Sequence, residues 1–366
     1  MATRAHAVLN DDEKAFLASV DTTDPAFYAS ERNFFTNLQR LPVTNMRYEV
    51  ADYALNDVPG IHGGPLLSPD IVEHVFFGQT DKLPAALNVK MTFVKRHGAW
   101  LLAADQTDPD LSGDTSARPW DGPLIDVVTR GHLIVVADAS SAGLADQVAT
   151  AVEADLSLDA AALGIPADDH LMVDATTQGS VSKFTNKESA AAVTFTVPAG
   201  RDFEFTAVAG LRIKVAPKYV DFLVSAPVLL RHELTHYLLH GNGNGYVDPK
   251  WLTEGIAEYV SHRPGGLATE YMSDKTYARL IARDHDLTVS GVFGRDPETD
   301  YPLAMACVTY LVERGGIAKV QELMKAYRQF GVPFADQETD GLLHSMYGIS
   351  AAQLANGAFD LLNALR

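Results

Sequence analysis

Two stretches decide how this chain is read: Ser225-Ala-Pro-Val-Leu-Leu-Arg-His-Glu-Leu-Thr-His-Tyr-Leu-Leu-His-Gly241 and Asp248-Pro-Lys-Trp-Leu-Thr-Glu-Gly-Ile-Ala-Glu-Tyr259. Ser225 and Pro227 suit a helix start and Gly241 suits its end, so His232, Glu233 and His236 fall on one helix. Imidazoles four positions apart on a helix point the same way and can reach one zinc ion, while Glu233 can take the proton of a metal-bound water. The second stretch predicts a helix capped by Asp248 with Pro249 in its first turn, carrying Glu254 and Glu258 on one face. The loop Gly241-Asn-Gly-Asn-Gly245 lets the two helices pack antiparallel, which brings Glu254 to the histidines as a third ligand. Glu258, one turn on, is placed to accept the other ring N–H of a liganding histidine, with His232 the favoured partner.

Working outward, the rest of the C-terminal half reads as mostly helical from about residue 219. Before it lie strand candidates at Leu124–Val128, Leu133–Val136, Leu171–Val173, Val193–Val197, Phe203–Val208 and Leu211–Val215, with an Ala-rich helix near 142–163. Strands between about 192 and 216 offer an edge along which an extended peptide could lie. At the N-terminus, Asp11-Asp12 and Asp24-Pro25 mark two helix starts, and Phe27, Tyr28, Phe34, Phe35 and Leu38 form one buried stripe. The period then becomes two: Met46, Tyr48 and Val50, and later Leu87, Val89, Met91 and Phe93, alternate with polar residues. Arg96-His97-Gly98 is a turn leading to a strand at Ala99–Leu102. Residues 105–123, rich in Pro, Gly, Asp and Ser, have the composition of an exposed connection.

The organisation expected is α+β: an N-terminal helix-plus-antiparallel-sheet, cone-like domain over 1–110 and a linker over 111–123. A second domain follows over 124–366, with a sheet lobe and the active-site helix in 124–240 and a helical lobe in 241–366. Among 366 residues, 47 are acidic and 29 basic, and a net charge of −18 without a basic patch argues against nucleic-acid partners. The single cysteine, Cys307, excludes an intrachain disulfide and a Cys-rich zinc module, and its Ala, Val and Leu neighbours make it a buried hydrophobe. No apolar run is long enough to span a membrane, and Met1-Ala-Thr-Arg-Ala-His lacks the order of a signal peptide. A leader or anchor preceding the given chain stays open, as does the oligomeric state. His240 and His262 read as surface or internally satisfied histidines, Trp251 as core, and no Gly-x-Ser-x-Gly elbow is present.

His232-Glu-x-x-His236 followed by Trp251-Leu-x-Glu254-Gly-x-Ala-Glu258-Tyr resembles the gluzincin metallopeptidases, the clan of thermolysin and the zinc aminopeptidases. The whole arrangement is similar to an actinobacterial, extracytoplasmic type, often membrane-anchored, in which a nuclear-transport-factor-like (cystatin-like) domain precedes a gluzincin-type zincin domain. The resemblance implies Zn2+ held by His232, His236 and Glu254, Glu233 as catalytic base, a peptide or protein substrate, and an extracytoplasmic or cell-surface location. It extends to Asp300-Tyr-Pro-Leu-Ala-Met-Ala-Cys-Val-Thr-Tyr-Leu-Val-Glu-Arg-Gly-Gly316, where Tyr301 would donate a hydrogen bond to the oxyanion. The Gly-x-Met-Glu-Asn stretch by which aminopeptidases of the clan hold a free N-terminus is absent. Two other readings stand beside hydrolysis of peptide bonds: a catalytically weak zinc-fold scaffold, and a zinc hydrolase of a non-peptide amide or ester. An intact base beside the metal favours chemistry over scaffolding.

Overall fold

Aspartate carboxylates start the N-terminal helices by accepting the backbone N–H groups that a first turn leaves open. Asp12 accepts from Ala15 at 2.9 Å, and Asp24 accepts from Ala26 and Phe27 at 2.9 and 3.2 Å. They open α2 (Glu13–Leu17) and α3 (Pro25–Arg40), which follow a further helix, α1 (Ala2–Leu9), that the sequence reading did not include. The computed structural model describes residues 1–54, 65–107, 118–177, 190–200, 207–225, 227–240, 249–267, 273–283, 296–329 and 335–365. Within them the fold is α+β, and no helix is long and apolar enough to cross a membrane. The chain divides into two compact units, Met1–Ala151 with Asp169–Ser225, and Val152–Asp168 with Ala226–Arg366.

In the first unit, β1 (Asn45–Ala54), β2 (Leu66–Phe76), β3 (Ala85–Arg96) and β4 (Ala99–Thr107) form an antiparallel meander in that order. β2 was not among the expected strands. His97 and Gly98 both take positive φ, 48° and 85°, which lets a two-residue turn follow the twist of the β3–β4 hairpin. Leu87, Val89 and Met91 are buried on the alternation expected of β3, but the alternation does not carry through to Phe93. There the pairing slips, Thr92 facing Ala104 and Phe93 facing Leu102, and burial passes to Val94 while Phe93 is half-buried. An extra residue on one strand bends a sheet and changes which face is covered. Phe16, Phe34, Phe35 and Leu38 pack with Val75, Phe77 and Leu87 in one core.

A mixed sheet lies in the same unit, in the order β5 (Ile125–Arg130), β6 (Leu133–Asp138), β7 (Leu171–Ala175), β9 (Val208–Val215), β8 (Ala192–Pro198). β6–β7 and β7–β9 are parallel, and the flanking pairs are antiparallel. β6 and β7 are buried along their whole length, as parallel strands covered on both faces are. The connection from β6 to β7 contains α4 (Leu144–Leu163), the expected Ala-rich helix. Of the strand expected at 203–208, residues 203–206 lie outside the described residues, and Val208 opens β9.

Arg118, Pro119 and Trp120, read from composition as part of an exposed connection, are buried. Arg118 lies against three carboxylates, Asp121 at 2.7 Å, Asp105 at 3.0 Å and Glu73 at 3.4 Å, and the Trp120 ring meets Phe77 edge-on at 5.4 Å. Asn37 of α3 donates to the carbonyls of Trp120 and Pro123 and accepts from the N–H of Ile125. Buried Asp81 pairs with Arg212 of β9, and the Lys82 N–H bonds the Ala209 carbonyl at 2.7 Å. These bonds join the mixed sheet to the N-terminal meander within one unit, whereas the reading of the sequence drew a boundary at 111–123. Residues 111–117 of that connection lie outside the described residues.

The second unit is helical. α5 (Pro227–His240) and α6 (Lys250–Ser261) pack on one another, and α6 also packs along α8 (Pro297–Gln329), which is broken at Gly316 by a φ of 76°. The shorter α7 (Asp274–Ile281), with α9 (Ala335–Tyr347) and α10 (Ala351–Ala364), lies against α8. Glycine permits one close approach between backbones. A Cβ at Gly255 would stand 2.5 Å from the Ala304 carbonyl oxygen and 2.7 Å from Val308 Cγ2, so α6 and α8 meet there nearly backbone to backbone.

Candidate metal centre

One helical turn separates His232 from His236 on α5, so their rings project from the same face, 4.7 Å apart between centroids and 76° inclined. Their Nε2 atoms lie 3.0 Å apart, and Glu254 Oε2 of α6 lies 3.2 Å from each. A tetrahedral zinc ion about 2.0–2.1 Å from each ligand holds the ligand atoms roughly 3.3 Å apart, close to this triangle. Two imidazole nitrogens and one carboxylate oxygen, all directed at one point, also match the ligand chemistry of a borderline-soft divalent ion. The residues therefore fit zinc in geometry and in donor type.

The neighbouring groups orient these side chains and bias their charge. Glu258 Oε1 lies 2.9 Å from Nδ1 of His232, the partner favoured from the sequence, so Nδ1–H donates to it and Nε2 is the ring nitrogen that faces Glu254 and His236. The other oxygen of Glu258 reaches His262 Nδ1 at 3.4 Å, which makes His262 an internally satisfied residue, as expected. Burial works against the imidazolium of His232, but the hydrogen bonds it donates to Glu254 and Glu258 outweigh it and hold its pKa well above the ordinary value. Burial likewise opposes ionisation of Glu254, yet the charge of His236 and bonds from both histidines keep its carboxyl far below the usual range.

Glu233, next to His232 and about 100° round the helix, is buried. Tyr301 is the fifth residue of α8, its ring 5.9 Å from that of His232 and 67° inclined. Burial and then the negative charge of Glu254, Glu233, Glu258 and Asp300 drive the pKa of its phenol far upward, so the hydroxyl stays a hydrogen-bond donor at any physiological pH. All six residues named from the sequence, His232, Glu233, His236, Glu254, Glu258 and Tyr301, are accordingly set on α5, α6 and the start of α8.

Two supports were not read from the sequence. Arg231 contacts Asp159 of α4 at 2.7–2.8 Å and donates to the carbonyls of Val260, Ser261 and Arg263, so it closes the C-terminal end of α6 and fixes α5 against it. Burial pushes the Asp159 carboxyl up to about 6 in spite of that arginine. At the start of α8, Arg283 reaches both Thr299 and the fully buried Asp300 at 2.6 Å, holding the turn that carries Tyr301. A charged residue directly after Val228, Leu229 and Leu230 was the one signal for Arg231, and it does not name a partner. The expected caps also differ: Ser225 donates to Phe222 at 3.2 Å, and Pro249 itself takes the N-cap of α6. Asp248, residues 241–245 and the side chain of His240 lie outside the described residues. Cys307 is fully buried, and burial pushes its thiol pKa far upward, as befits a core residue. No protein-family model matches the chain, and a search of curated proteins finds none similar to it.

Proposed function

We propose that the protein is a zinc-dependent metallopeptidase of gluzincin type, with His232, His236 and Glu254 as metal ligands. The observation that carries this reading is the convergence of those three donor atoms within 3.0–3.2 Å beside a buried glutamate, Glu233. When bound, the ion would supply Lewis acidity toward a scissile carbonyl and lower the pKa of an attacking water. Glu233 takes the proton of that water and delivers it to the leaving amine. Tyr301, held as a neutral phenol, donates to the carbonyl oxygen as negative charge develops on it. Glu258 keeps the Nδ1 proton on His232, so Nε2 remains the donor atom.

The test is a degenerate peptide library incubated with zinc-loaded protein, with the same sample plus chelator, and with E233Q, read by mass spectrometry. Cuts that vanish in both controls are the expected result, and their position separates endopeptidase from exopeptidase action. An absence of cuts from protein carrying one zinc at His232, His236 and Glu254 would overturn the peptidase reading in favour of a scaffold or of a hydrolase acting on another amide or ester.

A further inference from the structure

A second pair of histidines is assembled by strand pairing. β6 and β7 run parallel with Ile134 opposite Met172, and the same register carried back two residues sets His132 against His170. Residues side by side on neighbouring parallel strands share a face, about 4.8 Å apart along the hydrogen-bonding direction. The two rings accordingly stack, 4.0 Å between centroids and 9° from parallel.

Asp169 completes the cluster. Its Oδ2 accepts the backbone N–H of His132 at 3.1 Å, and Thr80 Oγ1 donates to the His132 carbonyl at 2.6 Å, so backbone and carboxylate are held before any ligand arrives. Gly131 makes room for this: a Cβ there would stand 2.5 Å from Asp169 Oδ2, and its φ of 58° also favours glycine. One ligand atom from each of His132, Asp169 and His170 lies within 4.8 Å of the other two, and all three residues are half-buried. The Nδ1 of His132 is buried without a hydrogen-bond partner, a state that leaves a polar atom uncompensated.

We propose that His132, Asp169 and His170 form a second site for a divalent transition-metal ion of the zinc class, separate from His232, His236 and Glu254. Two imidazoles and one carboxylate suit such an ion, and half-exposure leaves its remaining positions to water. Binding would tilt the imidazoles out of the 9° stack until one nitrogen of each met the ion. The ion then ties the β5–β6 turn to the start of β7.

The test counts zinc. The full chain carrying H232A and H236A is stripped with chelator, dialysed against micromolar Zn2+ alone, and its metal measured by atomic emission. One zinc per chain is expected, lost when H132Q and H170Q are added and bound more than about tenfold more weakly in D169N. No zinc in the first sample overturns the site, and so does zinc that survives H132Q/H170Q. If circular dichroism shows that H232A/H236A disturbs the fold, the wild-type chain serves instead: two zinc ions falling to one in H132Q/H170Q support the site, and a count unchanged by those substitutions overturns it. The peptidase reading fails or stands on peptide turnover, so the two failures are distinguishable.

Discussion

The two histidine clusters gather the same types of donor atom on different scaffolds. His232 and His236 share a face because a helix returns to the same direction after four residues, and Glu254 comes from the next helix. His132 and His170 share a face because two parallel strands pair in one particular register. Each cluster adds one carboxylate, and each relies on a glycine for a close approach, Gly255 between α6 and α8 and Gly131 beneath Asp169. The helical cluster has an adjacent buried carboxylate, Glu233, and a nearby neutral phenol, Tyr301, the two groups on which the proposed catalysis depends. Proximity written into a local period is legible in the sequence; proximity made by register is not.

The sharpest way to break this comparison is E233Q. It is expected to lower peptide hydrolysis by about 10³-fold with zinc content unchanged, read from kcat and metal analysis on the same preparation. Wild-type turnover in that variant would leave the helical cluster a metal holder and nothing more. Y301F should cost about 10²-fold in kcat with little change in KM, because the phenol acts on charge that develops only during reaction. An equal change in KM would show instead that Tyr301 binds the ground state. E258Q is expected to weaken zinc binding by 10–100-fold in competition with a chromophoric chelator, because it loosens the tautomer and orientation of His232. Unaltered affinity would detach Glu258 from the metal centre.

The glycines give the smallest effects and the most direct contrast. G255A forces a methyl against the Ala304 carbonyl and is expected to destabilise the protein by about 1–3 kcal/mol in denaturant unfolding. G131A meets only the end of a side chain, Asp169, but must hold a positive φ, and should lose about 1–2 kcal/mol. It should also weaken zinc binding at His132, since the methyl moves the carboxylate. If G131A were as disruptive as G255A, the turn under Asp169 would be as tightly packed as the helix interface, and the contrast would fail.

Legibility followed the same division elsewhere. The capping aspartates, Pro25, the His97-Gly98 turn and the alternation of Leu87, Val89 and Met91 all act within a few residues, and the structure places them as the sequence implies. Phe93 breaks the pattern because a pairing irregularity with β4 changes which face is covered, and nothing in β3 itself records that. Arg118 and Trp120 sit in a stretch of loop composition, yet Glu73 and Phe77, from about 40 residues earlier, join Asp105 and Asp121 of that stretch around them. Burial even lifts the Glu73 carboxyl to about 7 beside that arginine.

By itself the sequence determined the α+β class, the helices that carry His232, His236, Glu254 and Glu258, and the donor set of a candidate metal centre, since each depends on residue types at short, periodic spacings. Only the tertiary structure decided that Arg231 locks α5 to α6 through Asp159, that Arg283 seats the turn bearing Tyr301, and that His132 meets His170. Those contacts join residues far apart in the chain, and their formation depends on which surfaces bury against which, a choice that no local pattern encodes.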